Sequence, residues 1–199
     1  MKRIESSIAI ALLGALAVLA ACRQAAPPAA QAPVPTPESA VSRGQFLVQQ
    51  GLCNDCHTPW KMGPKGPELD MTRMLSGHPE DVKMPEPPTP VGPWNWSGSA
   101  TLTAFAGPWG VSYAINLTPD QNTGLGIWTE DMFVKAMKTG KHFGTSRPIM
   151  PPMPWHWYAR LSEEDLKAMF AYLKSVPPIV NRVPDAVEAL PPAAEAPKK

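Results

Sequence analysis

Cysteine is scarce in this chain: Cys22, Cys53 and Cys56 are the only three among 199 residues. Three thiols cannot build a disulfide framework, so whatever stabilises the fold is something else. Charge is scarce too, at 18 % of residues with a formal balance of +1. Without a basic excess there is no polyphosphate-binding surface, and a nucleic-acid partner is excluded. The longest apolar run, Ile8 to Ala21, has 14 residues. A bilayer crossing takes about 20, so the run is too short to be a transmembrane helix. What the chain has in excess is proline, 26 residues. Interior proline breaks helices and central strands, so these residues must mark loops, turns or ends.

Lys2 and Arg3 precede the apolar run, and Leu19-Ala20-Ala21-Cys22 follows it. A charged start, a short apolar segment and a small-residue approach to cleavage make residues 1–21 a secretory signal. The Leu-Ala-Ala-Cys ending resembles a bacterial lipobox, which implies lipidation of Cys22 and a lipid-anchored protein on the periplasmic face of a membrane. An ordinary cleaved signal would leave it soluble in the periplasm. Without residues 1–21 the chain keeps 16 basic and 16 acidic side chains and is neutral. Residues 22–38 are rich in Ala and Pro, cannot bury a core, and read as a semi-rigid tether. A similar composition predicts disorder for residues 184–199, leaving 39–183 as the folded domain.

Within that domain stands Cys53-Asn54-Asp55-Cys56-His57. Two thiols three positions apart, followed at once by an imidazole, form the C-x-x-C-H pattern of covalent haem c attachment. The cysteines form thioethers to the two vinyl groups, and the histidine reaches the iron from the proximal side. A redox-active C-x-x-C would call for a βαβ context, and a zinc site for further ligands at finger-like spacing. Neither is present, since His78, His142 and His156 are scattered. One such motif implies one haem. Haem attachment of this kind takes place outside the cytosol, in agreement with the export signal.

Ten methionines offer a second axial ligand. Met132, Met137 and Met169 fall on apolar positions of predicted helices and read as core. Met150 and Met153 lie in Arg147-Pro148-Ile149-Met150-Pro151-Pro152-Met153-Pro154-Trp155, where four prolines fix the backbone and forbid helix or strand. A thioether held there meets iron at little entropic cost, and His/Met ligation raises the potential of a haem that only passes electrons.

Asn116-Leu117-Thr118-Pro119-Asp120, Thr123-Gly124-Leu125-Gly126-Ile127-Trp128-Thr129, the methionine loop, and Leu161-Ser162-Glu163-Glu164-Asp165-Leu166 with Ala171-Tyr172-Leu173 together resemble c-type cytochromes related to the cytochrome subunits of membrane-bound dehydrogenases. The similarity covers about 43–60 and 111–184, with an echo in Ser76-Gly77-His78-Pro79. The family's axial methionine lies in a Met-Pro pair followed closely by a tyrosine. Met153, Pro154 and Tyr158 match this, whereas Met150 has Trp155 at the tyrosine position. The resemblance thus implies Met153 as distal ligand, with Met150 second. Family members often carry two or three C-x-x-C-H motifs, and this chain carries one. The family's Gly-Pro, whose carbonyl orients the proximal imidazole, has two counterparts here, Gly63-Pro64 and Gly66-Pro67, and the sequence does not choose between them.

Three helices are predicted. The first opens at Thr36-Pro37, runs through Val41, Gly44, Leu47 and Val48 and stops at Gly51. The second opens at Thr129 with Glu130 and Asp131 in its first turn and ends at Gly140. The third is capped by Ser162 with Asp165 and ends before Pro177-Pro178. Residues 60–115 show no helix, nine prolines and four of the seven tryptophans. They are expected to wrap the haem as loops burying Trp60, Trp94, Trp96 or Trp109, with a short strand near Thr101 to Phe105. The expected class is all-α, a cytochrome c fold in which haem completes the core.

The function expected is single-electron transfer between a dehydrogenase or quinol-oxidising complex and a downstream acceptor, not catalysis. A peroxidase-type or small-molecule-reactive haem protein would need an open distal site. A haem-binding sensor or assembly subunit is the third class.

Overall fold

The computed structural model describes residues 37–88 and 92–189. The signal, the lipobox with Cys22 and nearly all of the tether lie outside them.

The predicted helices form where their end signals place them. Helix α1 spans Pro37–Gln50. After the short α2 (Cys53–His57) and the β-containing segment, α3 spans Glu130–Thr139. Thr129 caps α3 by accepting from the Met132 amide at 3.2 Å, and Gly140 closes it at φ 65°, a left-handed turn that glycine adopts without penalty. Helix α4 is one turn, Trp155–Tyr158. Helix α5 spans Glu163–Ser175, with Ser162 Oγ accepting from the Asp165 amide at 3.1 Å.

Val48 of α1, Phe133, Val134 and Ala136 of α3, and Leu166, Met169, Phe170 and Leu173 of α5 form one buried apolar cluster with Leu75, Leu125 and Trp128. Each fully buried leucine contributes about 1.5–3 kcal/mol relative to exposure. Met132 is the exception to the predicted core face: it is partly exposed, and Phe133 beside it turns inward. Helices α1 and α5 cross at Gly44, where a Cβ would stand 1.9 Å from the Ala168 carbonyl oxygen and 2.9 Å from Tyr172 Cβ. Only a residue without a side chain lets the backbones approach so closely.

The all-α expectation is incorrect. Besides its five helices the described chain contains six strands in two antiparallel sheets, and the architecture is mixed α and β. Strands β1 (Trp60–Gly63) and β2 (Gly66–Leu69) form a hairpin. Strands β3 (Ser97–Gly98), β4 (Ala104–Gly107), β5 (Gly110–Tyr113) and β6 (Val187–Glu188) form a sheet in that order. Both hairpins close on the same sequence device, Gly63-Pro64-Lys65-Gly66 and Gly107-Pro108-Trp109-Gly110. Proline presets the first corner, and the last glycine takes positive φ, 118° at Gly66 and 99° at Gly110. Prolines that looked hostile to strands thus sit in the turns that pair them. Trp94 and Trp96 are exposed, so neither is buried by a wrapping loop within the chain's own fold. Val187 and Glu188, in the segment expected to be disordered, pair with Val111 and Gly110.

Candidate functional site

Helix α1 ends as Gly51 donates to the Leu47 carbonyl (2.8 Å) and Leu52 to that of Gln49 (3.1 Å). Leu52 then takes a left-handed conformation, φ 56°, and serves as the N-cap residue of α2. The chain re-enters a helix immediately, so Cys53 and Cys56 lie one turn apart, on neighbouring positions of one face. Both thiols are free and half-buried. Burial pushes the Cys53 thiol up to about 12; burial, then the charge of Asp55, raises that of Cys56. Neither has the depressed pKa of a redox-exchange or nucleophilic cysteine. Among the described residues, no three His, Cys, Asp or Glu side chains gather into a metal-sized cluster, which speaks against zinc.

His57 is buried, and its Nδ1–H donates to the Ile115 carbonyl at 2.8 Å. That bond fixes the ring and its tautomer, leaving Nε2 with its lone pair and no hydrogen-bond partner among the described residues, the state in which an imidazole binds a metal. Burial lowers the His57 pKa, opposed by the bond to Ile115, and so favours the neutral ring. The orienting carbonyl is therefore supplied by neither Gly63-Pro64 nor Gly66-Pro67, which lie in the β1–β2 hairpin.

Segments 75–78 and 114–117 run side by side to deliver Ile115. Gly77 donates to the His57 carbonyl (2.8 Å), His78 to that of Ala114 (2.9 Å) and Leu117 to that of Leu75 (2.8 Å). Gly77 has φ 78°, and a Cβ there would stand 2.4 Å from the Ala114 carbonyl oxygen. Ile115 acts through its backbone and left no mark in its own residue type; Gly77, in the echo Ser76-Gly77-His78-Pro79, was the available signal. Asn54 joins the support: Thr58 Oγ1 donates to its Oδ1 at 2.8 Å and accepts from the Leu75 amide at 2.8 Å.

The methionine loop approaches from the other end of the chain. Met153-Pro154 leads straight into α4, whose last residue, Tyr158, donates its hydroxyl to the Gly51 carbonyl, two residues before Cys53. Burial, reinforced by the nearby Cys53 and Cys56, raises the Tyr158 hydroxyl to about 12, so it stays a donor. Lys138 Nζ secures the following turn by donating to the Ala159 (3.0 Å) and Leu161 (2.6 Å) carbonyls. Met150 and Met153 are both half-buried. Met150 lines a cleft of about 300 Å³ with Trp109, Arg147 and the β6 strand; Met153 does not.

The other histidines are occupied elsewhere. His78 is fully buried, accepting from Thr103 Oγ1 (2.9 Å) and donating to the Val82 carbonyl (3.1 Å). Burial, then Arg147, lowers the His142 pKa, and its ring packs edge-on to Trp128 at 5.0 Å. His156 is exposed between Trp155 and Trp157.

The residues fit a covalent haem: two protonated thiols one turn apart, an imidazole with a free Nε2, and the half-open apolar side chains of Met74, Leu117, Phe143, Tyr158 and Leu161 packed at the edge of the core.

No protein-family profile matches the chain. It is similar to the gluconate 2-dehydrogenase cytochrome c subunit of Pantoea cypripedii, with 29 % identity over 152 residues, 75 % of this chain and 26 % of that protein. It is equally similar to the fructose dehydrogenase cytochrome subunit of Gluconobacter japonicus, 29 % over 148 residues, 72 % of this chain and 24 % of that one. The cytochrome c subunit of a quinone alcohol dehydrogenase from Gluconobacter oxydans (strain 621H) is 28 % identical over 74 % of this chain and 24 % of its own length. The chain spans about a quarter of the length of these relatives. Each is named as the cytochrome subunit of its dehydrogenase. The resemblance carried by short motifs thus extends over about three quarters of the chain, and the relatives it matches are cytochrome subunits of dehydrogenases.

Proposed function

We propose that this chain is a single-haem c-type cytochrome that passes electrons from a membrane-bound dehydrogenase or quinol-oxidising complex to a downstream acceptor. In this reading Cys53 and Cys56 hold the haem as thioethers, His57 is the proximal ligand, and Met153 is the distal one, with Met150 second. The observation that carries it is the His57 ring, fixed through Nδ1 by the Ile115 carbonyl at 2.8 Å with Nε2 left free, one position after the second of two cysteines a helical turn apart. When bound, the haem supplies a one-electron couple. The protein's part is to hold the imidazole in one tautomer, to keep it neutral by burial, and to carry a thioether on a proline-stiffened loop anchored to Gly51 through Tyr158. Without His/Met closure the site would be open to small ligands, the peroxidase-type alternative.

The export signal and the lipobox support a lipid anchor at Cys22 on the periplasmic face of a membrane. A neutral processed chain implies brief docking with modest electrostatic steering.

The visible and near-infrared spectrum of the exported holoprotein tests the reading. A low-spin spectrum with the weak Met-to-iron charge-transfer band is expected, abolished in Met153→Ala and retained in Met150→Ala. A high-spin spectrum with rapid carbon monoxide binding would reject axial closure in favour of the alternative.

A further inference from the structure

The loop from Ile149 to Pro154 contains three prolines, and a fourth, Pro148, precedes it. Only Ile149, Met150 and Met153 carry amide donors there. Among the described residues, Ile149 donates to the Gly140 carbonyl (2.8 Å) and Met153 to the loop's own Met150 carbonyl (3.3 Å). Among the described residues, one side chain from elsewhere hydrogen-bonds to the loop. Ser112 Oγ, on β5, donates to the Pro151 carbonyl at 2.5 Å, midway between the two methionines; its other contact, to the Phe105 carbonyl, is 3.5 Å. Ser112 is buried, 7 % exposed, in a strand paired on both edges, by β4 and by β6. A hydroxyl in that setting does not wander.

We propose that Ser112 is a positioning residue for the axial methionine: its hydroxyl pins the Pro151 carbonyl and so fixes the methionine loop against the sheet. Proline stiffens the loop but has no amide to donate, so it can be tied down only through its carbonyl. Apart from the Ile149 amide at its start, the loop is left with its carbonyls as handles, and a buried hydroxyl that meets one has no water to bond instead. The same tether links the sheet, including the β6 strand near the C-terminus, to the iron site. The proposal rests on the reading that this loop supplies the distal ligand.

The test uses the ferric holoprotein, with cyanide as the probe for an open distal position. In Ser112→Ala the charge-transfer band weakens and the cyanide-binding rate rises about fivefold, the factor for one hydrogen bond; Ser112→Thr restores both. A lower melting temperature with an unchanged band and cyanide rate would show a merely structural hydroxyl and overturn the proposal. Should the alanine variant not load haem, Ser112→Thr and Ser112→Val, alike in shape and differing in the hydroxyl, carry the comparison: equal rates overturn it, and a faster valine variant supports it. Met150→Ala and Met153→Ala separate the two levels. A band surviving in both removes the ligand reading and the proposal together, whereas a band lost in either, but untouched in Ser112→Ala, removes the role of Ser112 alone.

Discussion

The helical part of the molecule and the segment between Trp60 and Asn116 are held together by different chemistry. Around α1, α3 and α5 the buried side chains are Val, Leu, Phe, Met, Ala and Trp. In and around the sheets many are polar: Thr58, Ser76, His78, Thr103, Ser112 and Asn116, joined by Thr118 and Asn181. Asn181 alone donates to the Ser76 and His78 carbonyls (2.7 and 2.9 Å) and accepts from the Glu80 amide (3.0 Å). Apolar packing is non-directional and tolerates small shifts, whereas a hydrogen-bonded interior holds backbone segments in one register. The site uses both. The cysteines ride on a helix extended from the apolar part, and the carbonyl that orients His57 comes from the polar part.

Each half of that contrast can be broken separately. The largest effect is expected from Gly44→Ala, whose Cβ would overlap the Ala168 carbonyl and force α1 off α5. A loss of about 3 kcal/mol or more, read by thermal or denaturant unfolding of the holoprotein, is expected, and a wild-type midpoint would refute the close crossing. Next comes Asn181→Ala, which strands two buried carbonyls and an amide, at a cost of about 2–3 kcal/mol. Hydrogen exchange sharpens this one: protection should fall at Gly77, His78 and Glu80 and persist in α5. Uniform loss across both regions would show that the two are one cooperative unit.

A smaller effect depends on pH. Burial, as the first cause, lowers the His78 pKa, and Arg73 and Lys83 add to it against the Val82 carbonyl and Asp81. The neutral ring is therefore favoured in the folded state. Its stabilisation is fully present above the unfolded-state pKa of about 6.5 and is lost as pH falls through that value toward the folded one, with a slope of at most about 1.4 kcal/mol per pH unit. His78→Gln should unfold with a flatter profile between neutral and mildly acidic pH; identical slopes would show that His78 takes no part. The smallest effect is Ser162→Ala, which removes the α5 cap and costs about 1 kcal/mol by the same unfolding measurement.

The contrast also separates what could be read from residues from what could not. Thr129, Gly140 and Ser162 announce helix ends because capping is local, satisfied by a side chain within three residues of the group it serves. The two Gly-Pro-x-Gly turns were equally local signals and mark the hairpins in hindsight. They were obscured by the expectation that a proline-rich stretch is loop, when the prolines stand at the corners and leave the strands free. The pairing of Val187 with Val111 had no local sign, because its partner lies 76 positions away.

Sequence alone carries the chemistry of the proposed function. On that reading the order Cys-x-x-Cys-His fixes which atoms would bond to haem, and that depends on residue type and on spacing within a single turn. Only the tertiary structure decided how the imidazole is aimed, since the carbonyl of Ile115 is a backbone group that any residue could offer. It reaches His57 because Gly77 lets two distant segments lie in contact. The mixed architecture was decided in the same way, by backbone hydrogen bonds that residue identity permits but does not specify.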